Sequence, residues 1–416
     1  MSQEIYEAEL ENVFGRTWLF LAHDSMIAKP GDFYSTYMGG DPVIISRQKD
    51  GSVKAFLNVC RHRGMRVCRA EQGNTKAFMC TYHGWTYDGA GALVSVPNSD
   101  DAYHNDINKS QWGLLQIRVE SYKGLYFGNF DSNAPSLAEY LGGMTFYLDT
   151  WIDDADGGLE VLPGVLKWNV DANWKLASEQ FAGDGYHAQV THMSSFPVLN
   201  PDYQRAWEVP GRQFSSPQGH GHSFMLLPRA PKAGSAIGEY QYASQQAKIE
   251  RLGEERASMM GNFNVFPNFG GLAGLAVLGP VATLRVVHPR GPNKMEIWSY
   301  SLIEKNAPEE VKQAQARSVG LTLGPAGMVE TDDGENWSMI GQSLLTSHQA
   351  RKLAFNYQMG AGYEREDDPT FPGLIGSRYF GEGPQRAFYG RWLEFMTTDE
   401  WPVVKESQVA EVDVRN

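Results

Sequence analysis

At 416 residues the chain exceeds the ~100–200 residues of a typical single domain, which points to two domains and excludes a mini-protein. Apolar residues at 42%, charged residues at 20%, and 11 Trp, 19 Tyr and 20 Phe exclude a disordered chain and suffice to line large apolar cavities. A formal net charge of −13, without a Lys/Arg run, repels phosphate backbones, so no nucleic-acid partner is expected.

Taken in chain order, the opening residues have neither a basic nor an apolar leader segment, and the cytoplasm is the expected compartment. Leu10, Val13, Phe14 and Trp18 recur at helical spacing in a Glu-rich stretch and predict an amphipathic helix. Strand signals follow. Val43-Ile44-Ile45, the turn Asp50-Gly51 and the run from Val53 to Val59 predict a hairpin that ends at Cys60. A second hairpin pattern runs through Lys76 to Met79, Trp85 to Tyr87 and Ala92-Leu93-Val94, and another strand spans Gly124 to Phe130. Residues 17–137 are therefore expected to form a small antiparallel β domain with two projecting loops. The rest, 1–16 and 138–416, mixes helix and strand signals without βαβ alternation, so the fold class is α+β with a central antiparallel sheet flanked by helices. Its predicted elements are a helix from Asn173 to about Val190, a long hairpin of Ala282 to His288 and Met295 to Leu302, a helix over Pro308 to Arg317, and a terminal helix carrying Phe388, Trp392 and Phe395. The apolar run Phe269 to Leu284 is interrupted by Gly270, Gly271, Gly274, Gly279 and Pro280 and is shorter than the ~18 residues of a spanning helix. It is read as buried, with no membrane association.

Two groups of residues carry chemistry. Cys60-Arg61-His62 and Cys80-Thr81-Tyr82-His83 each offer one thiol and one imidazole. Two Cys and two His suit tetrahedral zinc and equally suit a [2Fe–2S] centre in which two His replace two Cys on one iron. Zinc sites usually pair like ligands at close spacing, whereas mixed ligands on each loop let one loop grip both irons, which favours the cluster. Arg61, Arg63 and Arg66 would offset its negative charge. The second group is Asp184-Gly185-Tyr186-His187, with His192 five residues further on. On a regular helix His187 and His192 would point about 140° apart, so they share a metal only if the helix is distorted or ends there. Two His and one carboxylate make the facial triad of non-haem Fe(II) oxygenases, and the acidic stretch Glu330-Thr331-Asp332-Asp333-Gly334-Glu335 holds the candidate carboxylates. Cys68, His23, His104, His220, His222, His288 and His348 are expected to be non-ligands. Gly270 to Gly274 lacks the G-x-G-x-x-G spacing of a dinucleotide site.

Both constellations, in this order and separation, resemble the α subunit of Rieske non-haem iron aromatic-ring-hydroxylating dioxygenases over nearly the whole chain. The likeness is greatest to the biphenyl, naphthalene and phenylpropionate types, through Glu11 to Trp18, Cys60-Arg61-His62-Arg63-Gly64, Tyr82-His83-Gly84-Trp85, Val287 to Pro292 and Gly324 to Trp337. The resemblance implies that Cys60, His62, Cys80 and His83 hold the [2Fe–2S] cluster, and that His187, His192 and Asp333 hold mononuclear Fe(II), with Asp332 as the fallback. It implies that Asp184 bridges His187 to His83 of an adjacent subunit. Gln180 stands where relatives carry an amide near the iron, and Phe181, Ala188, Phe196 and Leu323 are placed around the substrate. Implied partners are a small β subunit in an α₃β₃ assembly, with a ferredoxin and a reductase carrying electrons from NADH. The implied reaction is dihydroxylation of an apolar arene by O₂ to a cis-dihydrodiol. The alternatives are a Rieske monooxygenase or a hydroxylase of an aromatic acid and, in another class, a zinc-stabilised binding module without redox activity.

Overall fold

The computed structural model describes residues 2–152, 157–199, 209–227, 236–273 and 282–402. The chain divides into two compact units, Phe14–Leu137 and Met1–Val13 with Ala138–Asn416.

Strand-forming runs and tight turns build the first unit. Its larger sheet has seven antiparallel strands in the order Leu19–His23, Leu125–Asn129, Gln116–Tyr122, Val53–Leu57, Asp41–Arg47, Asp32–Met38 and Gln72–Asn74. A smaller three-stranded sheet joins Ala77–Met79, Thr86–Asp88 and Leu93–Ser95. Phe33, Ile44, Phe56, Phe78, Trp85 and Tyr87 form one buried cluster, and Cys60 and Cys80 belong to it. Edge-to-face contacts of Phe78 with Phe33 and Phe56, at 5.2 and 5.8 Å, lock the two sheets together beneath the loops.

The second unit is built on a nine-stranded antiparallel sheet among the described residues. Its path runs Leu159–Val161, Lys294–Glu304, Ala282–Gly291, Phe269–Ala273, Met259–Val265, Gly221–Leu226, Gly211–Ser215 and Leu374–Gly376, with Leu166–Val170 also paired to Lys294–Glu304. The predicted long hairpin is present, and its turn is tighter than expected: the strands continue through a bulge to Gly291 and resume at Lys294. The segment Phe269–Ala273 is a central strand; Gly274 and Gly279 lie outside the described residues.

The helix Trp174–Gly183 crosses the sheet, packing on Met259–Val265, Gly221–Leu226 and Phe269–Ala273, with the terminal helix Gly383–Thr397 beside it. The predicted helix to Val190 is two helices. It stops at Gly183, Asp184 leaves helical geometry with ψ 64, and a short helix Ala188–Thr191 follows. A buried carboxylate anchors the start of the crossing helix: Glu9 accepts from Trp174 Nε1 at 2.9 Å, from Trp392 Nε1 at 3.0 Å and from Lys175 Nζ. The N-terminal element itself is a helix, Gln3–Glu9, followed by a wider π-turn over Leu10–Phe14. No helix among the described residues is long and apolar enough to cross a membrane.

Two candidate metal centres

In the first unit, the strands Val53–Leu57 and Ala77–Met79 hand the chain into two loops with the same backbone plan. Cys60 N–H donates to Met65 O and Gly64 N–H to Cys60 O; Cys80 N–H donates to Trp85 O and Gly84 N–H to Cys80 O. Each loop closes on a glycine four residues after its cysteine, at φ 75 for Gly64 and 73 for Gly84, left-handed values that other residues adopt at a cost. Both sulfurs are buried, and the imidazoles lie 4.6 Å apart edge to face, with His62 stacked on Trp85 at 5.1 Å. The four predicted residues are thus brought together.

Tyr87 Oη accepts from Arg61 N–H at 3.1 Å, which leaves its own hydrogen to donate to Cys60 Sγ at 3.3 Å. Burial, with the adjacent Cys60 adding to it, raises the Cys80 thiol pKa. The His62 pKa is lowered by desolvation, then by the charge of His83 and Arg63, which favours the neutral ring that ligates metal. His62 Nδ1 is buried without a hydrogen-bond partner. Two sulfur donors, two imidazoles and an orphaned ring nitrogen fit a cluster with mixed ligands. Cys68 is drawn off, its sulfur directed at Ala70 O at 3.6 Å.

In the second unit, the break at Asp184 resolves the spacing problem of the two histidines. His187 opens the short helix and His192 closes it, so both rings turn to one side with centroids 5.2 Å apart. The acidic stretch is the first turn of the helix Glu330–Thr346, which buries Glu330, Asp333, Trp337 and Gly341 along one stripe. Asp333 Oδ1 comes within 3.2 Å of His187 Nε2 and 3.3 Å of His192 Nε2. One ligand atom from each of these three residues lies within 4.8 Å of the others. Asp332 instead receives His192 Nδ1 at 3.1 Å, and Asp184 receives His187 Nδ1 through its carbonyl, with its carboxylate at 3.4 Å.

With both Nδ1 atoms donating outward, each ring in the neutral form that ligates metal would present a lone pair at Nε2, facing a carboxylate oxygen that has no hydrogen-bond donor. Three converging lone pairs call for a cation. Burial opposes charge on His187, yet the Asp184 and Asp333 carboxylates beside its two ring nitrogens hold its pKa well above the ordinary imidazole value. Burial likewise pushes Asp333 up, but the His187 and His192 rings beside it bring its pKa well below the carboxylate range. The two shifts are the two sides of one attraction between the carboxylate and the imidazoles, at a place where a metal ion would take over from protons. The donor set and the carboxylate behind each imidazole fit a non-haem iron centre.

An apolar cluster of Phe181, Leu272, Val319, Leu323 and Val329 lies alongside, with Ala188 and Leu166 packed against it. Of the predicted substrate wall, Phe181, Ala188 and Leu323 are therefore together; the side chain of Phe196 lies outside the described residues. Gln180 Nε2 stands 3.5 Å from His187 Nε2. Sequence reasoning missed Arg285, which forms a buried ion pair with Glu330 at 2.7 Å and lies 4.9 Å from the Phe181 ring centre. A charged residue within the apolar run Ala282 to His288 was the available signal. It also missed Trp337, four residues after Asp333 and so on the same helical face. His220 and His222 are structural: His220 bonds Tyr140 O at 2.7 Å and Phe266 N at 3.0 Å, and His222 bonds Asn262 O at 3.0 Å and Trp151 Nε1 at 3.3 Å.

A fold with a small β unit carrying paired Cys/His loops and a larger unit carrying a 2-His-1-carboxylate site defines a Rieske non-haem iron oxygenase. Residues 17–122 match the profile of the Rieske [2Fe–2S] domain, and residues 138–398 match that of the ring-hydroxylating α subunit catalytic domain. The chain is 43% identical to benzene 1,2-dioxygenase subunit α of Pseudomonas putida, covering 98% of this chain and 92% of that one. It is 42% identical to biphenyl 2,3-dioxygenase subunit α of Rhodococcus jostii, covering 98% and 90%. The structure of naphthalene 1,2-dioxygenase with indole bound superposes with a TM-score of 0.88 at 37% identity, covering 96% and 91% of the two chains. The chain belongs to the α subunits of Rieske-type aromatic-ring-hydroxylating dioxygenases, an oxidoreductase family whose members work within multicomponent systems. The zinc-module alternative is thereby set aside.

Proposed function

We propose that this chain is the terminal oxygenase for a neutral, apolar arene, converting arene, O₂, two electrons and two protons into a cis-dihydrodiol. The observation that carries the reading is the convergence of His187, His192 and Asp333 beside a wall of Phe181, Ala188 and Leu323. His187, His192 and Asp333 hold the mononuclear iron, and Cys60, His62, Cys80 and His83 hold the cluster. The metal centres supply electrons and oxygen activation; the protein supplies ligation, orientation and exclusion of water.

The chain's own residues divide the remaining work. Asp184 and Asp332 fix the two imidazoles so that both Nε2 atoms face Asp333. Asp184 keeps a partly exposed carboxylate, 26% accessible, which suits a second hydrogen bond to His83 of an adjacent subunit and hence electron transfer between chains. Phe181, Ala188 and Leu323 contact the ring. The cation beside them, Arg285, is neutralised by Glu330, which favours an uncharged arene over an aromatic acid. The partners are a small β subunit in an α₃β₃ assembly, with NADH electrons arriving through a reductase and a ferredoxin. The cytoplasm suits the chain, because Cys60 and Cys80 must stay reduced until the cluster is built.

The test is metal and sulfide analysis with optical and EPR spectra of the purified protein, followed by turnover on benzene, biphenyl and naphthalene with a reconstituted electron chain. A reducible Rieske signal, roughly three irons per two sulfides and dihydrodiol formation are expected. Zinc without sulfide, or turnover confined to aromatic acids, would overturn the reading.

A further inference from the structure

The indole of Trp337 is 2% exposed, and its Nε1–H donates to Gln180 Oε1 at 2.8 Å. An indole nitrogen can only donate, so the Gln180 oxygen must be the atom that faces it; the reversed amide would set two donors against each other. The other end of the amide, Nε2, is left 3.5 Å from His187 Nε2, on the side where the three ligand atoms meet. The carbonyls of Gln180 and Phe181 accept from Asn262 Nδ2 at 2.7 and 3.1 Å, which pins the backbone that carries the amide. Trp337 and Asp333 are four residues apart on the buried face of one helix. A single element therefore delivers both a ligand oxygen and the group that orients Gln180.

We propose that Trp337 is a positioning residue that sets the Gln180 amide with its N–H groups toward the iron site, where they donate to oxygen atoms of the reacting molecules. In this orientation the site gains donors beside His187. Reversed, the amide would offer a carbonyl oxygen there and repel the oxygen atoms it otherwise holds. The inference rests on His187 being a ligand.

The test compares Trp337→Phe, which keeps the ring and removes the N–H, with Gln180→Glu, which keeps an acceptor for Trp337 and removes the donors from the site. Three quantities are read: iron and sulfide content, the EPR spectrum of the ferrous site with nitric oxide as the probe, and dihydrodiol formed per O₂ consumed. Both variants are expected to retain wild-type metal content, to share an altered nitric oxide spectrum, and to lose coupling several-fold. Wild-type spectrum and coupling in Trp337→Phe would overturn the proposal, even if its Tm were lower, because packing alone would then explain the residue. Should Trp337→Phe fail to fold, Gln180→Glu decides: unchanged coupling and spectrum there overturn the proposal. A wild-type protein without mononuclear iron would instead defeat the ligand assignment.

Discussion

At the scale of single residues, each imidazole of the second centre is held at both ends. His192 joins Asp332 at one nitrogen and Asp333 at the other, so His192→Ala removes a proposed ligand together with the ring that faces both carboxylates. That variant is expected to lose the mononuclear iron and turnover while the Rieske spectrum persists, as iron analysis and EPR will show. Asp184→Asn separates ligation from electron delivery: both metal centres should remain, and single-turnover oxidation of a reduced cluster should slow by orders of magnitude. Normal turnover would remove the bridging role proposed for Asp184. Arg285 and Glu330, 1% and 2% accessible, are held as a pair in the apolar wall. Breaking such a buried pair costs about 3–5 kcal/mol, so Arg285→Leu should lower the denaturant midpoint well beyond what a surface Arg→Leu change does.

At the scale of elements, the decisive feature is where the helix carrying Gln180 and Phe181 begins and ends. Asn173 caps its start, its side chain accepting from Lys175 N–H, and its amide nitrogen also donates to Pro292 O at 2.9 Å. Asn173→Ala should cost about 1 kcal/mol in urea unfolding, with a further loss from the orphaned carbonyl. Its end was only partly legible. Gly183, Asp184 and Gly185 are poor helix formers, yet the i, i+5 spacing of His187 and His192 shows only that a regular helix is incompatible with a shared metal. The register of the break depends on the local meeting of Asp184 with the His187 ring and on Gln213 Nε2 reaching Gly183 O at 2.7 Å, a contact from a distant part of the chain. The acidic stretch after Gly327 could equally have been a solvated face. It turns inward because Glu330 finds Arg285 and Asp333 finds two imidazoles, partners that lie some forty to a hundred and fifty positions away.

At the scale of the whole molecule, buried titratable groups couple stability to pH. Burial lowers the pKa values of His220 and His222 to about 4. Below the unfolded value of about 6.5 the unfolded chain takes up protons that the folded chain refuses, so this stability is present above pH 6.5 and is lost as pH falls toward 4. Glu179 acts in the opposite sense. Burial raises its carboxyl to about 7 despite donation from Tyr357 Oη at 3.0 Å, so its contribution is present below the unfolded value and is lost as pH rises through 7. Thermal unfolding of His222→Gln against wild type isolates the first effect. The stability gap should narrow by about 3 kcal/mol between pH 7 and pH 4, and a constant gap would contradict a buried neutral His222. What sequence alone determined were the local matters: the hairpins around Cys60 and Cys80, whose turns and glycines act within a few residues, and the ligand types, which chemistry restricts. Tertiary structure decided the matters that depend on long-range partners. It turned Asp333 rather than Asp332 toward both Nε2 atoms, placed Arg285 behind Phe181, and brought Trp337 to Gln180. Each of these depends on which face of a helix meets the sheet, and that is settled by packing the whole core rather than by any neighbouring residues.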